Sequence, residues 1–294
     1  MCSSDLSPAN LGEHCRKNES HFSSKHAHGR SRAFPHFSLP TVTPLSCPKG
    51  FQFHTLPTGP AWIRPSIHKP LLSSWKKLTP QAPLRQAARR HPQHRLFKGR
   101  APVVLFPITT THELVVRPCV HGGLWGKFSK DLYTNTTRAL KEIERSSLLT
   151  TKKIPTPLIQ AALFYPAGSL WRIDIVTSYI PNSLDLASFL STRPSSPART
   201  RAFSSIRKLF HKCCQNGILH PDCNARNILL TQSPNQAWLL DVDAIQVEPQ
   251  NPSQVDTANR NRLLRSLLKL AKLGALGFTE KEVPSLWREL FPSS

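Results

Sequence analysis

Between residues 217 and 247 the chain reads GILHPDCNARNILLTQSPNQAWLLDVDAIQV. His220, Asp222 and Asn227 fall in the spacing H-x-D-x-x-x-x-N, and Asp241 follows fourteen residues after Asn227. These residue types can take up a proton and hold a hard cation. A carboxylate such as Asp222 can orient an attacking hydroxyl and accept its proton. The amide oxygen of Asn227, about one turn away, and the carboxylate of Asp241 are the oxygen donors that Mg²⁺ takes, with phosphate and water completing the shell. Acidic residues are otherwise scarce, 17 Asp and Glu against 39 Lys and Arg, so their concentration here is informative. A plain turn between strands also uses Asp and Asn. It does not require an apolar strand on each side and a further aspartate at this distance.

The same spacing is that of the protein-kinase catalytic loop and its later metal-binding aspartate. NILL (227–230) leaves the loop as a short strand, and AWLLD (237–241) returns as the second arm of a hairpin. Asp241 then emerges beside Asn227 and serves the same metal region. Upstream, APVVLFPI (101–108) and HELVVRPCV (112–120) predict two adjacent strands. NTTRALKEIERSSLLT (135–150) predicts a helix capped by Asn135 or Thr136, and LWRIDIVTSYI (170–180) a half-buried strand. ARTRAFSSIRKLFHKCCQNG (198–217) reads as an amphipathic helix ended at Gly217, and DTANRNRLLRSLLKLAKLG (256–274) as a strongly basic one. The order predicts an α+β fold with a small N-terminal sheet and a mostly helical second half.

A chain of 294 residues suggests one or two domains. Its net charge of +22 points to an anionic partner: nucleic acid, an acidic membrane or a phosphorylated substrate. Residues 1–96 are rich in Pro, Ser, His and Arg without sustained periodicity. Residues 1–100 hold 16 Lys and Arg against 3 Asp and Glu, more than half of the excess charge. That stretch reads as a disordered basic leader, or as sequence foreign to the domain, which then occupies 97–294. Its cluster RQAARRHPQHR (85–95) is the one feature that would suit a nucleic-acid-binding arm. Seven cysteines with no C-x-x-C pair exclude a disulfide framework and a zinc finger, and suit a reducing compartment. The chain has neither an uncharged apolar run of membrane-spanning length nor the apolar core of a signal peptide, so the expectation is a soluble, intracellular protein.

HPDCNARNILL, AWLLDVD, RPCVHGGLWGKFSKDLY and TRALKEIERSSLL together resemble the lipopolysaccharide kinases of Gram-negative bacteria, and among them those acting on 3-deoxy-D-manno-octulosonic acid (Kdo). ANRNRLLRSLLKL (258–270) is similar to that family's C-terminal helix, and the resemblance covers about 97 to 275. It implies a two-lobed protein-kinase-like fold using ATP and Mg²⁺. The γ-phosphate would go to a Kdo hydroxyl, the 4-OH, of the Kdo–lipid A precursor in lipopolysaccharide core biosynthesis. It makes Asp222 the catalytic base, His220 the residue that orders the loop, and Asn227 and Asp241 the metal ligands. Arg117 occupies the strand position where most kinases carry lysine, with Glu142 as its partner on the next helix and Glu144 as a competitor.

Gly99 in FKGRAP falls in the nucleotide loop, where Ala101 replaces a glycine that the family tends to have and hinders backbone approach to phosphate. Cys223 and Val242 stand where leucine and phenylalanine are expected, and HGGLWGK (121–127) reads as a turn contacting the acceptor. The implied partners are the anionic glycolipid and an acidic membrane surface, the cytoplasmic face of the bacterial inner membrane, held peripherally; no nucleic acid is expected. Arg260, Arg262, Arg265, Lys269 and Lys272 beside leucines suit such attachment, as they suit a packed helix with a solvated basic face. Two alternatives stay open: another small-molecule kinase of this fold, acting on a heptose or an aminoglycoside, and a non-catalytic nucleic-acid-binding protein. The second leaves the His–Asp–Asn–Asp array unexplained.

Overall fold

The computed structural model describes residues 47–97, 102–120, 131–232, 235–248 and 251–292. The first half runs β1 (Gln52–Leu56), β2 (Gly59–Ile63), α1 (Pro65–Leu78), α2 (Leu84–Ala88), β3 (Arg95–Phe97), β4 (Val103–Pro107), β5 (Glu113–Pro118), α3 (Thr137–Thr151), β6 (Ile159–Ala167) and β7 (Leu170–Ser178). The second half runs β8 (Ser183–Asp185), α4 (Leu186–Ser191), α5 (Ser196–Gln215), β9 (Ile218–Leu219), β10 (Ile228–Gln232), β11 (Asn235–Leu239), β12 (Gln246–Val247), α6 (Pro252–Lys272) and α7 (Val283–Leu290).

Seven strands form one antiparallel sheet in the order β1-β2-β6-β7-β5-β4-β3. Side chains alternate across a strand, so β5 sends Leu114 and Val116 to one face and Arg117 to the other. On the Leu114 face, Ile67, Leu71 and Trp75 of α1 form one stripe at helical spacing and pack with Leu84, Ala87 and Ala88 of α2 over Val104, Phe106 and Val176. On the other face, Ala139 and Ile143 of α3 pack on Ala162, Phe164, Ile173 and Ile175. Gly59 seats the first hairpin: its φ is +135°, and a Cβ there would collide with the Phe164 carbonyl oxygen.

Residues 52–97 therefore belong to the folded body, which corrects the domain boundary expected near 97. They supply both edge strands, β1 and β3, the adjoining β2, and the helical cover of one sheet face; residues 1–46 lie outside the described residues. Two polar contacts fasten α2. The Leu84 N–H donates to the Tyr165 hydroxyl at 2.9 Å, and Arg85 Nε stands 3.4 Å from Asp174 Oδ1. Burial pushes the Asp174 carboxyl up to about 6, against the pull of Arg85. A chain beginning at Arg95 is accordingly expected to be insoluble. It would expose the apolar sheet face that α1 and α2 cover, Val104, Phe106, Leu114, Val116, Leu163 and Val176 among it, and strip Asp174 of its cation. Each large side chain returned to water costs about 1.5–3 kcal/mol, against a total stability of about 5–15 kcal/mol. Soluble expression with cooperative thermal unfolding would show instead that this cover is dispensable.

The second half packs α5 (Phe203, Ile206, Leu209), α6 (Leu263, Leu267) and α7 (Leu286, Leu290) around the β10–β11 hairpin (Leu230, Ala237, Leu239). Gly217 follows the C-cap of α5 at φ +63°, the left-handed position that ends a helix. A sheet lobe joined to a helical lobe, with α3 against the sheet and a catalytic-loop hairpin in the second lobe, is a protein-kinase-like α+β architecture. Arg260 leaves the basic face expected for α6: it pairs with Asp256 at 2.7 Å and lies 4.3 Å from the Phe291 ring centroid. Among the described residues no helix is long and apolar enough to cross a membrane.

Candidate active site

The short strands β9 and β12 pair and carry the chain into residues 220–227. His220 is buried and wired on three sides. Its backbone N–H donates to Asn259 Oδ1 of α6 at 2.9 Å, Nε2 meets the Leu240 carbonyl at 2.9 Å, and Nδ1 lies 3.1 Å from the Asp222 N–H. A carbonyl can only accept and an N–H can only donate, so the ring carries hydrogen on Nε2 and accepts at Nδ1. That tautomer joins the loop to the residue preceding Asp241. Asn259 is itself buried, and its Nδ2 donates to the Ile218 carbonyl at 2.9 Å. Ser266 Oγ accepts from the Ala225 N–H at 3.1 Å. One face of α6 thus clamps both ends of the loop.

Asn224 shapes the loop from within. Its Oδ1 accepts from the N–H groups of Arg226 and Asn227 at 2.9 and 3.2 Å, closing an Asx cap on the turn at 225–227. With Oδ1 so engaged, Nδ2 faces Asp222 and donates to Oδ1 at 2.9 Å. Asn227 Nδ2 donates to the Asp222 carbonyl at 2.9 Å and lies 3.3 Å from its Oδ2. The exposed Asp222 carboxylate is therefore held by two amides while open to solvent. Asn227 keeps its amide oxygen unengaged by any of these bonds.

The β10–β11 hairpin returns as the sequence predicts: Ile228 pairs with Leu239, and the Leu240 N–H donates to the Asn227 carbonyl at 2.9 Å. Asp241 follows in the left-handed region, φ 54° and ψ 53°. Aspartate tolerates that conformation better than most residues. Its carboxyl is raised above the ordinary range by burial and by Asp243, with Arg117 and His220 pulling it down and Asp222 adding to the rise. Asp243 ion-pairs with Arg138 of α3, tying the turn after Asp241 to the sheet lobe.

Arg117 and Glu142 meet in an ion pair across β5 and α3. Glu142 is almost fully buried, whereas Glu144 is exposed, which leaves Glu142 as the partner. Burial alone would lower the Arg117 pKa, but Glu142 holds the guanidinium firmly protonated. Burial in turn raises the Glu142 carboxyl, against Arg117. Because arginine does not release its proton, Arg117 keeps its positive charge against Glu142. Gly99, Ala101 and the 121–127 segment lie outside the described residues.

The donors present suit a hard divalent cation. Asp241 and the Asn227 amide offer oxygen donors, and the mutual repulsion of Asp241, Asp243 and Asp222 is what a cation would relieve. Among the described residues no group of three His, Cys, Asp or Glu is placed to hold a metal ion by itself. Asn224, Asn259, Ser266 and Arg138 were not singled out by sequence reasoning. All four lie inside stretches that carried the resemblance, Asn224 in HPDCNARNILL, Asn259 and Ser266 in ANRNRLLRSLLKL and Arg138 in TRALKEIERSSLL, but their spacing alone gives none of them a role.

Residues 100–289 match the lipopolysaccharide kinase (Kdo/WaaP) family. The chain belongs to that family. It is 32% identical over 193 residues to a 3-deoxy-D-manno-octulosonic acid kinase of Mannheimia succiniciproducens, covering 63% of this chain and 75% of the relative. A 3-deoxy-D-manno-octulosonic acid kinase of Haemophilus influenzae (strain Rd) is 34% identical over 183 residues, covering 60% and 72%. A solved structure, WaaP in complex with acyl carrier protein, is similar at 15% identity and a TM-score of 0.44, over 74% of this chain and 86% of that one. The part matching the Kdo/WaaP family begins at residue 100, so β1, β2, α1, α2 and β3 precede it.

In a Kdo/WaaP kinase the buried pair should matter through Arg117. Glu142→Gln keeps the shape but removes the charge that aims the guanidinium. The KM for ATP is expected to rise about tenfold, roughly 1.4 kcal/mol, with a stability loss of about 1–3 kcal/mol. Steady-state kinetics and a denaturant titration of the same variant check both; an unchanged KM would remove Arg117 from the nucleotide site.

Proposed function

We propose that the protein is an ATP-dependent Kdo kinase: it transfers the γ-phosphate of ATP to a hydroxyl, the 4-OH, of the Kdo sugar on an anionic Kdo–lipid A acceptor. The carrying observation is the Asp222 carboxylate, exposed to solvent yet oriented by the amides of Asn224 and Asn227. That the similar proteins are named as kinases of this sugar supports the acceptor. Asp222 orients the attacking hydroxyl and takes its proton as the bond to phosphorus forms. His220, through its two ring contacts, keeps Asp222 and the Asp241 segment in register. Arg117, steadied by Glu142, grips nucleotide phosphate with its fork. Asn227 and Asp241 would hold Mg²⁺, whose charge would neutralise that of the phosphates.

Peripheral attachment to the cytoplasmic face of the bacterial inner membrane is part of the same proposal. Arg265, Lys269 and Lys272 of α6 are exposed beside Leu268 and Leu273, the latter 68% accessible. Each cation near an anionic surface contributes about 1 kcal/mol. The nucleic-acid-binding alternative accounts for the charge but for none of the catalytic loop, and is not favoured. The deciding experiment incubates the protein with ATP and Mg²⁺ and, separately, Kdo–lipid A, a heptose-bearing acceptor and an aminoglycoside. Phosphate is expected on the Kdo acceptor. Transfer to either of the others alone would replace this reading.

A further inference from the structure

A cleft of about 380 Å³ opens beside the site, lined by Tyr133, Thr137, Arg138, Lys141, Arg145 and Asp243. None of Arg117, Glu142, Asp222, Asn227 and Asp241 lines it. Arg138, Lys141 and Arg145 fall at i, i+3 and i+7, one face of α3. Asp243 answers only Arg138, which also lies 5.9 Å from the Tyr133 ring centroid. Lys141 and Arg145 have no carboxylate within ion-pair distance among the described residues. Neighbouring like charges on a helix face are mildly unfavourable. A solvated surface would accept that small cost, but Arg145 is half-buried, and the three cations converge on a concavity rather than a convex face. The cleft therefore carries two surplus positive charges, with the Thr137 hydroxyl at its wall. A guanidinium fork, a lysine point charge and a hydroxyl are the donors that recognise phosphate or carboxylate.

The position gives this chemistry a use. The cleft shares α3 with Glu142 and shares the 242–244 turn with Asp241, so it adjoins the reacting centre without belonging to it. We propose that it is a subsite for an anionic group of the acceptor, a phosphate or a carboxylate, which anchors the glycolipid while its hydroxyl reaches Asp222. This deepens the Kdo-acceptor reading and rests on it for the identity of the acceptor. The volume is at the small end for a ligand pocket, enough for one anionic group and part of the unit that bears it.

The test uses the full chain carrying Lys141→Gln with Arg145→Gln, and leaves Arg138 in place because it holds Asp243. With an ATP analogue filling the nucleotide cleft, inorganic phosphate is titrated calorimetrically into wild type and double variant. Wild type should bind it, and the variant about tenfold more weakly. In turnover the variant's KM for the acceptor should rise about tenfold, with kcat and the KM for ATP within about twofold. Lys141→Arg with Arg145→Lys should restore both, and Lys281→Gln, which removes a cation outside the cleft, should change neither. Acceptors stripped of phosphate, or esterified at the carboxylate, identify the occupant: the change that weakens wild type but not the variant names it. Unaltered phosphate binding in a folded double variant would overturn the site. Altered phosphate binding with an unaltered acceptor KM would overturn the acceptor's role and leave a free-anion site. Failure of wild type to phosphorylate the Kdo acceptor would instead sink the functional reading, while the phosphate titration still decides the cleft.

Discussion

Asp241→Ala should abolish measurable phosphate transfer, a fall of about 10³-fold or more, equivalent to about 4 kcal/mol. The remaining groups cannot substitute. Asn227 offers a neutral amide oxygen, Asp243 is committed to Arg138, and Asp222 is committed to Asn224 and Asn227. Alanine is also a poor occupant of the left-handed backbone at this position, so part of any effect could be conformational. Asp241→Asn separates the two causes, because asparagine adopts that conformation readily and keeps the shape. Both variants should lose turnover. The asparagine variant should melt no lower than wild type, since burial and Asp243 disfavour the charged carboxylate in the folded state. Activity assays at graded Mg²⁺ beside thermal melts give the answer. Near-normal turnover by the asparagine variant would show that this carboxylate is not needed for the metal.

The geometry of the candidate site was legible because its spacing is dictated by local structure. A loop, a hairpin and an aspartate at the end of the second arm lie within 22 consecutive residues, and the β10–β11 pairing carries that order directly into space. The β4–β5 pair and the helix bearing Glu142 were legible for the same reason, since their periodicities are strong and their contacts close in sequence. The helical cover was not. Ile67, Leu71 and Trp75 do fall at helical spacing, but Pro65 and Pro70 interrupt the pattern and lysines fill the gaps. All three residues of β3 are exposed, so no buried alternation marks it as a strand. Composition suggested disorder where short elements borrow stability from a large sheet. Asn259 escaped notice for another reason. A polar residue on a basic amphipathic helix ordinarily faces water, and only the long-range contact with His220 reveals it as a buried clamp.

Asp222→Asn is the change in which those long-range contacts alter the expected result. The transition state of phosphoryl transfer is loose, so the protein chiefly positions groups and stabilises charge. A carboxylate at the attacking hydroxyl contributes about 10²–10⁴-fold through orientation and late proton acceptance, so kcat should fall by that factor, about 3–5 kcal/mol. Shape alone would predict untouched nucleotide binding. The hydrogen bonds predict otherwise, because both carboxylate oxygens of Asp222 face amide donors, Asn224 Nδ2 at 2.9 Å and Asn227 Nδ2 at 3.3 Å. An asparagine there has one oxygen and one NH₂, and the better-engaged Asn224 retains the oxygen. The NH₂ then confronts the NH₂ of Asn227, and that side chain must turn. With Asn227 as the proposed amide ligand of the metal, affinity for Mg-ATP should weaken modestly, about threefold to tenfold, while kcat falls far more. Asp222→Ala has no opposing donor and should show the kcat loss with nucleotide affinity preserved. A binding isotherm and kcat for the two variants separate the roles: a base loses kcat in both, whereas a scaffold or metal ligand loses Mg-ATP affinity in both and keeps kcat near that of the wild type at saturating nucleotide.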